Sequence, residues 1–256
     1  MSKKKSRESA VTDQKSGDKS PFIAQKERIK YKLDIRERPD FTERQKVILE
    51  TMIHKQTKCV FIDGLWGTGK SLLAVLAALK LLNEGKIKQI LYVRSPCESS
   101  DSATLGTLPG DVATRMESYN AVMMDKLSEI LPPQQAALLI KDGSIEFIPP
   151  SLLRGRSYNC TAIIVDEAAN LSRKDILLIL SRASVFTRLF FIGDNYQQDI
   201  RNSGFRDIFN TFNDEESQDN GVYTFELKKE SDIVRSGFLL FCMKKLGILN
   251  TVNYEN

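Results

Sequence analysis

The turn Gly64-Leu65-Trp66-Gly67-Thr68-Gly69-Lys70-Ser71 constrains this chain more than any other feature, because it satisfies the spacing GxxxxGK[ST]. The apolar run Cys59-Val60-Phe61-Ile62 precedes it, and an apolar stretch of helical character, Lys70 to Leu82, follows it and ends at Gly85. A strand that enters a glycine-rich turn and leaves as a helix gathers backbone N–H groups and the positive end of a helix dipole around one point. Glycines at 64, 67 and 69 let the backbone curl enough to do so. That point suits the phosphates of a nucleotide. Lys70 reaches the β- and γ-phosphates, and the Ser71 hydroxyl is a ligand for Mg²⁺.

Strands and helices alternate around this turn. Ile90-Leu91-Tyr92-Val93, Ile145-Glu146-Phe147-Ile148, Ala162-Ile163-Ile164-Val165, Leu189-Phe190-Phe191-Ile192 and Val222-Tyr223-Thr224-Phe225 read as further strands. Helices are predicted after Thr42, over much of 105–142 with a break at Pro132-Pro133, and over Arg173–Arg182, Phe205–Phe212 and Asp232–Lys245, with a turn at 218–221. Continuously apolar strands separated by helices predict an α/β fold, a parallel sheet with helices on both faces. One domain is expected over residues 38–248, with a basic tail at 1–37 and a short tail at 249–256.

Two more strand ends carry chemistry. Ile163-Ile164-Val165 runs into Asp166-Glu167-Ala168, which sets paired carboxylates at the carboxyl edge of the sheet, where ligands of such sheets bind. Asp166 is the expected Mg²⁺ partner, through water, and Glu167 the group that orients and deprotonates an attacking water. Phe190-Phe191-Ile192 likewise runs into Gly193-Asp194-Asn195-Tyr196-Gln197. The Gln197 amide both donates and accepts hydrogen bonds, which suits sensing of a γ-phosphate or of that water. The acid pair and the Gly-Asp-x-x-Gln turn favour ATP hydrolysis. A nucleotide or small-molecule kinase built on the same phosphate turn is the alternative.

Together these motifs resemble the first RecA-type domain of superfamily-1 helicases and, more narrowly, the PhoH-like family of ATPases. The likeness extends through Leu105-Gly106-x-Leu108-Pro109-Gly110-Asp111, Arg154-Gly155-Arg156-Ser157 and Asp232-Ile233-Val234-Arg235-Ser236, in order over about residues 40–240. It implies a RecA-like P-loop NTPase core, ATP and Mg²⁺ as cofactors, and ATP hydrolysis of helicase-like character. It also implies a ring-like homo-oligomer, for example a hexamer, acting on single-stranded nucleic acid, RNA ahead of DNA. By the same resemblance Gln45 reads the adenine edge, whereas Thr42-Glu43-Arg44-Gln45 has the form of a capping box that claims the same side chain. Departures from the family pattern are Trp66 where alanine is usual, Ala169 where glutamine is usual, and a shortened stretch between Asp194 and Phe205. A full superfamily-1 motor takes an arginine for the γ-phosphate from a second domain. Here Arg182 or Arg235 of a neighbouring subunit is expected to supply that charge, each having the plainer alternative of a surface ion pair. Arg94, Arg154 and Arg156, near strand ends, are further candidates for phosphate contacts.

Composition narrows the remaining classes. No apolar run approaches the roughly 20 residues of a membrane helix, and the Lys/Ser-rich N-terminus has no signal-like apolar segment, so a cytoplasmic protein without a membrane partner is expected. Cys59, Cys97, Cys160 and Cys242 lack metal-type pairing and read as small thiols, and the single histidine, His54, argues against histidine-based metal or triad chemistry. The net charge is +4, yet residues 1–30 hold nine Lys/Arg against four Asp/Glu, +5 in all, which leaves the remaining 226 residues at −1. The tail is thus a candidate for phosphate contacts with nucleic acid or a solubilising arm.

Overall fold

The computed structural model describes residues 29, 31–38, 40–94 and 124–251. Most of the basic tail, Cys97 and the segment Leu105–Asp111 lie outside the described residues.

The described chain forms α1 (Glu43–Ile53), β1 (Cys59–Gly64), α2 (Lys70–Asn83), β2 (Gln89–Arg94), α3 (residues 124–130), α4 (Pro133–Lys141), β3 (Ile145–Ile148) and β4 (Thr161–Asp166). It continues through α5 (Arg173–Leu180), β5 (Arg188–Gly193), α6 (Phe205–Thr211), α7 (Glu215–Asp219), β6 (Val222–Leu227), α8 (Gly237–Lys245) and α9 (Ile248–Thr251). The six strands make one sheet in the order β3-β2-β4-β5-β1-β6, and every pairing is parallel. Because strand side chains alternate between faces, β1 sends Val60 and Ile62 to one core and Cys59 and Phe61 to the other. The first core is covered by α1, α2, α3 and α4, the second by α5 and α6. This is the expected parallel sheet with helices on both faces, and it has the RecA-like P-loop arrangement. Phe61 stacks on Phe191 with ring centroids 4.7 Å apart, tying the neighbouring strands β1 and β5 together.

Several elements differ from the sequence reading. The helix expected over Asp232–Lys245 begins only at Gly237, because Glu230–Asp232 forms a separate 3₁₀ turn and Ser236 then caps α8 through the Leu239 N–H. Asp214 caps a short helix, α7, ahead of the turn expected at 218–221, and Gly221, at φ +82°, makes the reversal into β6. Packing begins ahead of residue 38: Leu33 is buried, and its N–H donates to Asn83 Oδ1 at 2.8 Å. It continues to Leu249, which joins Leu65 and Met243 in a small core behind the phosphate turn. Among the described residues no helix is long and apolar enough to cross a membrane. Cys59 and Cys160 are buried free thiols, Cys242 is a half-buried one, and His54 is exposed at the end of α1.

Candidate active site

In an all-parallel sheet every strand delivers its C-terminal end to the same edge. The turn 64–71 after β1, Asp166-Glu167 after β4 and Asp194–Gln197 after β5 therefore converge, in agreement with the spacing of the motifs. Gly67 and Gly69 sit at φ +79° and +76°, where an L side chain is strained, and Gly69 is the residue from which α2 starts. A Cβ at Gly67 would also lie 2.4 Å from Leu239 Cδ2, so that side chain would have to move. Leu65 is fully buried in the small core formed with Met243 and Leu249, and Trp66 packs against that core, so the departure at Trp66 ties the turn to the C-terminal helices. Thr68 is buried and closes the turn through its hydroxyl, which donates to the Leu65 carbonyl at 2.8 Å.

Lys70 is nearly buried and donates to the carbonyls of Gly64 and Leu65 at 2.6 and 2.7 Å. Burial lowers its pKa, against the pull of Asp194, Asp166 and Asp63. Its ammonium thus faces three carboxylates at the strand ends. The Ser71 hydroxyl donates to Asp166 Oδ1 at 3.0 Å, joining the start of α2 to the end of β4 across 95 residues of sequence. Burial disfavours the Asp166 charge. Lys126 at 2.7 Å, with hydrogen bonds from Tyr92 and Ser71, outweighs that and holds the carboxyl below its ordinary range. Burial, then the Asp166 charge, raises the Tyr92 phenol, so it keeps its proton and donates it to Asp166.

Glu167 stands in the left-handed region, φ 55° and ψ 40°, which is strained for a non-glycine residue. This conformation turns its carboxylate off the strand direction toward Arg94 at the end of the neighbouring β2, with which it forms an ion pair. Arg94 is thus a partner of the candidate base. Ala169, the departure where glutamine is usual, is buried and packs in the second core, which leaves no polar group there.

Gln45 forms the capping box with Thr42, its Oε1 accepting from the Thr42 N–H at 2.9 Å. Its Nε2 donates to the Thr68 carbonyl at 2.9 Å and the side chain is fully buried, so Gln45 acts as a brace between α1 and the phosphate turn. Both ends of the amide that would read an adenine are engaged within the chain. Gln197 lies exposed on the 3₁₀ turn Asn195–Gln197, held by its N–H to the Asp194 carbonyl at 3.0 Å. The buried Asp194 Oδ2 has no hydrogen-bond partner among the described residues, and burial raises the pKa of this carboxyl.

The two candidate arginines lie at opposite ends of the sheet. Arg182 precedes β5, at the amino edge, where its guanidinium donates to Ser181 Oγ at 3.0 Å. It lies at the opposite edge of the sheet from its own phosphate turn. Arg235 is exposed but stands against its own turn: Val234 N–H donates to the Gly67 carbonyl at 3.0 Å, and Arg235 Cβ is 3.3 Å from where a Cβ on Gly67 would sit. The segment between β6 and α8 folds over Gly67, so Arg235 lies beside the phosphate turn of its own chain. Arg154 and Arg156 are exposed on the connection from β3 to β4.

Four site residues had escaped the sequence reading: Tyr92, Lys126, Asp63 and Lys228. Asp63 had a signal, a carboxylate within an otherwise apolar run directly before Gly64. Lys126 had none, being one lysine among many, 40 residues from Asp166.

The residues present fit a magnesium nucleotide. Ser71 and Asp166 offer hard oxygen donors of the kind Mg²⁺ takes, and the two positive-φ glycines leave open the cradle that side chains would fill. Among the described residues no group of three or more His, Cys, Asp or Glu residues is placed to hold a metal ion.

Comparison with known proteins agrees with the fold and the motifs. The pattern of the family described as PhoH-like protein matches residues 39–244. A PhoH-like protein of Bacillus subtilis is 34% identical over 146 residues, 57% of this chain and 45% of that protein. Protein PhoH2 of Mycolicibacterium smegmatis is 31% identical over 155 residues, 60% of this chain and 36% of that protein. A PhoH-like protein of Synechocystis is 30% identical over 149 residues, 58% of this chain and 44% of that protein. The chain thus spans less than half the length of these curated relatives. With most of its length matched by the family pattern, and with the phosphate turn and both strand-end motifs in place, the chain belongs to the PhoH-like protein family.

Proposed function

We propose that the chain binds ATP with Mg²⁺ at the turn 64–71 and hydrolyses it, in the cytoplasm, in a cycle coupled to single-stranded nucleic acid, RNA ahead of DNA. The observation that carries the nucleotide reading is the hydrogen bond of Ser71 Oγ to Asp166 Oδ1 at 3.0 Å, which puts two Mg²⁺-type oxygen donors beside Lys70 at one sheet edge. Ser71 and Asp166 would hold the metal, which when bound neutralises charge on the phosphate oxygens. Lys70 and the N–H groups of the turn bind the phosphates. Glu167, aimed by Arg94, takes the proton of the attacking water, and Gln197 orients that water.

The coupling to nucleic acid is supported by the family resemblance and by the +5 charge of residues 1–30. Phosphate release measured with and without single-stranded RNA or DNA tests it. The expected result is stimulation, larger with RNA. Release that nucleic acid never alters, together with a phosphorylated small product, would establish the kinase alternative instead.

The position of Arg182 at the amino edge supports a ring-like homo-oligomer in which each copy presents this arginine to its neighbour's site. Light scattering is expected to show the active species as an oligomer, and Arg182→Ala to slow turnover without weakening nucleotide binding. A monomer that hydrolyses ATP at the full rate would remove the shared arginine.

A further inference from the structure

Asp166 is crowded on both of its oxygens. Oδ1 accepts from Ser71 Oγ and from the Glu167 N–H, each at 3.0 Å. Oδ2 accepts from the Tyr92 hydroxyl and from Lys126 Nζ, the latter at 2.7 Å. Lys126 also donates to the Tyr92 oxygen at 2.7 Å, and its ammonium stands 5.2 Å from the centre of the Tyr92 ring. The ammonium is therefore seated by three features: a carboxylate, a phenol oxygen and an aromatic face. All three lie on β2 and β4, whereas Lys126 comes from α3.

The carboxylate so occupied is the one that the magnesium nucleotide needs. A divalent cation held by Asp166 and an ammonium 2.7 Å from its Oδ2 would repel each other at short range in a low-dielectric pocket, so one carboxylate does not easily serve both. Lys126 is replaceable there for a simple reason. It hangs on a flexible four-carbon stem, and its side chain keeps 23% exposure, so it can swing into water without disturbing the sheet. Asp166, at 9% side-chain exposure, has no such freedom and needs a positive partner at all times.

We propose that Lys126 is a tethered cation that neutralises Asp166 and exchanges with the divalent cation this carboxylate would hold. The site then excludes free Mg²⁺ and admits it with a polyphosphate, whose negative charge compensates for two cations at one carboxylate. The exchange deepens the magnesium–nucleotide reading of this site and rests on it for its biological sense. It rests on the geometry alone for its physical content. Lys126 is a positioning residue here, acting through Asp166.

Mn²⁺ binding followed by electron paramagnetic resonance, with no nucleotide present, tests the exchange without recourse to turnover. Lys126→Met and Lys126→Gln are expected to bind Mn²⁺ alone about ten-fold or more tighter than the unaltered chain, because the competing charge is gone. The difference is expected to narrow when a non-hydrolysed ATP analogue is added. A lysine that merely staples α3 to the sheet would lower the melting temperature on substitution and leave Mn²⁺ affinity where it was, and that result overturns the proposal. Should both variants fail to fold, acetylation of Lys126 in the unaltered chain decides. Its rate is expected to rise several-fold as Mn²⁺ with ADP saturates the site, and an unchanged or falling rate overturns the exchange. The two readings fail separately: no nucleotide binding in any variant would sink the proposed function, while equal Mn²⁺ affinities in chains that still bind ATP would sink only the role of Lys126.

Discussion

Glu167→Gln is expected to keep nucleotide binding nearly intact while turnover falls about 10²–10⁴-fold, the usual contribution of a positioned general base. The substitution preserves shape and one hydrogen bond to Arg94 but removes the charge that accepts a proton. Nothing in the binding cradle changes, because Lys70, Ser71 and the N–H groups of the turn stand on a different strand-to-helix connection. The strained φ of 55° at Glu167 belongs to the same reasoning. A residue is kept in that conformation where the direction of its side chain matters, and relaxing it would turn the carboxylate away from Arg94. Lys70→Ala is the contrasting variant, because it removes charge from the phosphates in ground state and transition state alike and is expected to weaken both affinity and turnover. Nucleotide affinity and single-turnover phosphate release, measured on both variants, separate the two roles. Undiminished release from Glu167→Gln would remove Glu167 as the base and leave an ATP-binding chain whose water is activated elsewhere.

The parts of this site that sequence reveals are those fixed by local spacing. The turn 64–71 needs only its own glycines and the strand and helix beside it, and Asp166-Glu167 needs only a strand end. The four inner strands were legible as continuous apolar runs because both faces of a parallel sheet are buried, and the edge strands β3 and β6 as partly exposed runs, so the α/β reading follows from patterning alone. What escaped depends on long-range contact. Tyr92 reads as an ordinary strand aromatic, and its hydroxyl acquires meaning only because the β2–β4 register brings it beside Asp166, 74 residues away. Arg94 was visible as a strand-end cation, but the same register, Arg94 opposite Asp166, is what hands it to Glu167. The late start of α8 has a similar cause. Residues 233–236 carry no helix breaker strong enough to forbid helix before Gly237, yet Val234 gives its N–H to the Gly67 carbonyl, a tertiary bond that overrides local propensity. At Gln45 the structure adds a contact the sequence could not show, because its amide both closes the capping box and reaches Thr68, 23 residues away.

The largest stability effect is expected at Asp63, the residue directly before the phosphate turn. Its side chain is only 1% exposed and accepts from Lys228 Nζ at 2.7 Å, from the Asn195 side-chain amide at 2.7 Å and from Arg206 at 3.2 Å. It thereby ties the end of β1 to the end of β6 and to the Gly193–Gln197 turn. Burial opposes the Lys228 charge, but hydrogen bonds to Asp63 and Glu226 overcome it and raise the ammonium above its ordinary range. Asp63→Ala removes the most buried partner of an ammonium that is itself 10% exposed and orphans the Asn195 amide, a combination that costs about 3–5 kcal/mol when a buried pair is broken from one side. Arg206 contributes little to that figure, being 43% exposed and well solvated. The loss corresponds to a fall of roughly 2–4 °C in Tm per kcal/mol for a domain of this size, read by thermal or urea unfolding. The double variant Asp63→Leu, Lys228→Met is expected to regain much of the loss, because it buries no unpaired charge. Asp63→Ala at a cost below about 1 kcal/mol would mean that Lys228 is satisfied by Glu226 and water, and that Asp63 does not tie the phosphate turn to the sheet. In the expected case Asp63→Ala also weakens nucleotide binding, since Gly64 and the Asn195–Gln197 turn lose their common anchor, while Asp63→Asn, which still accepts from Lys228, retains more of both.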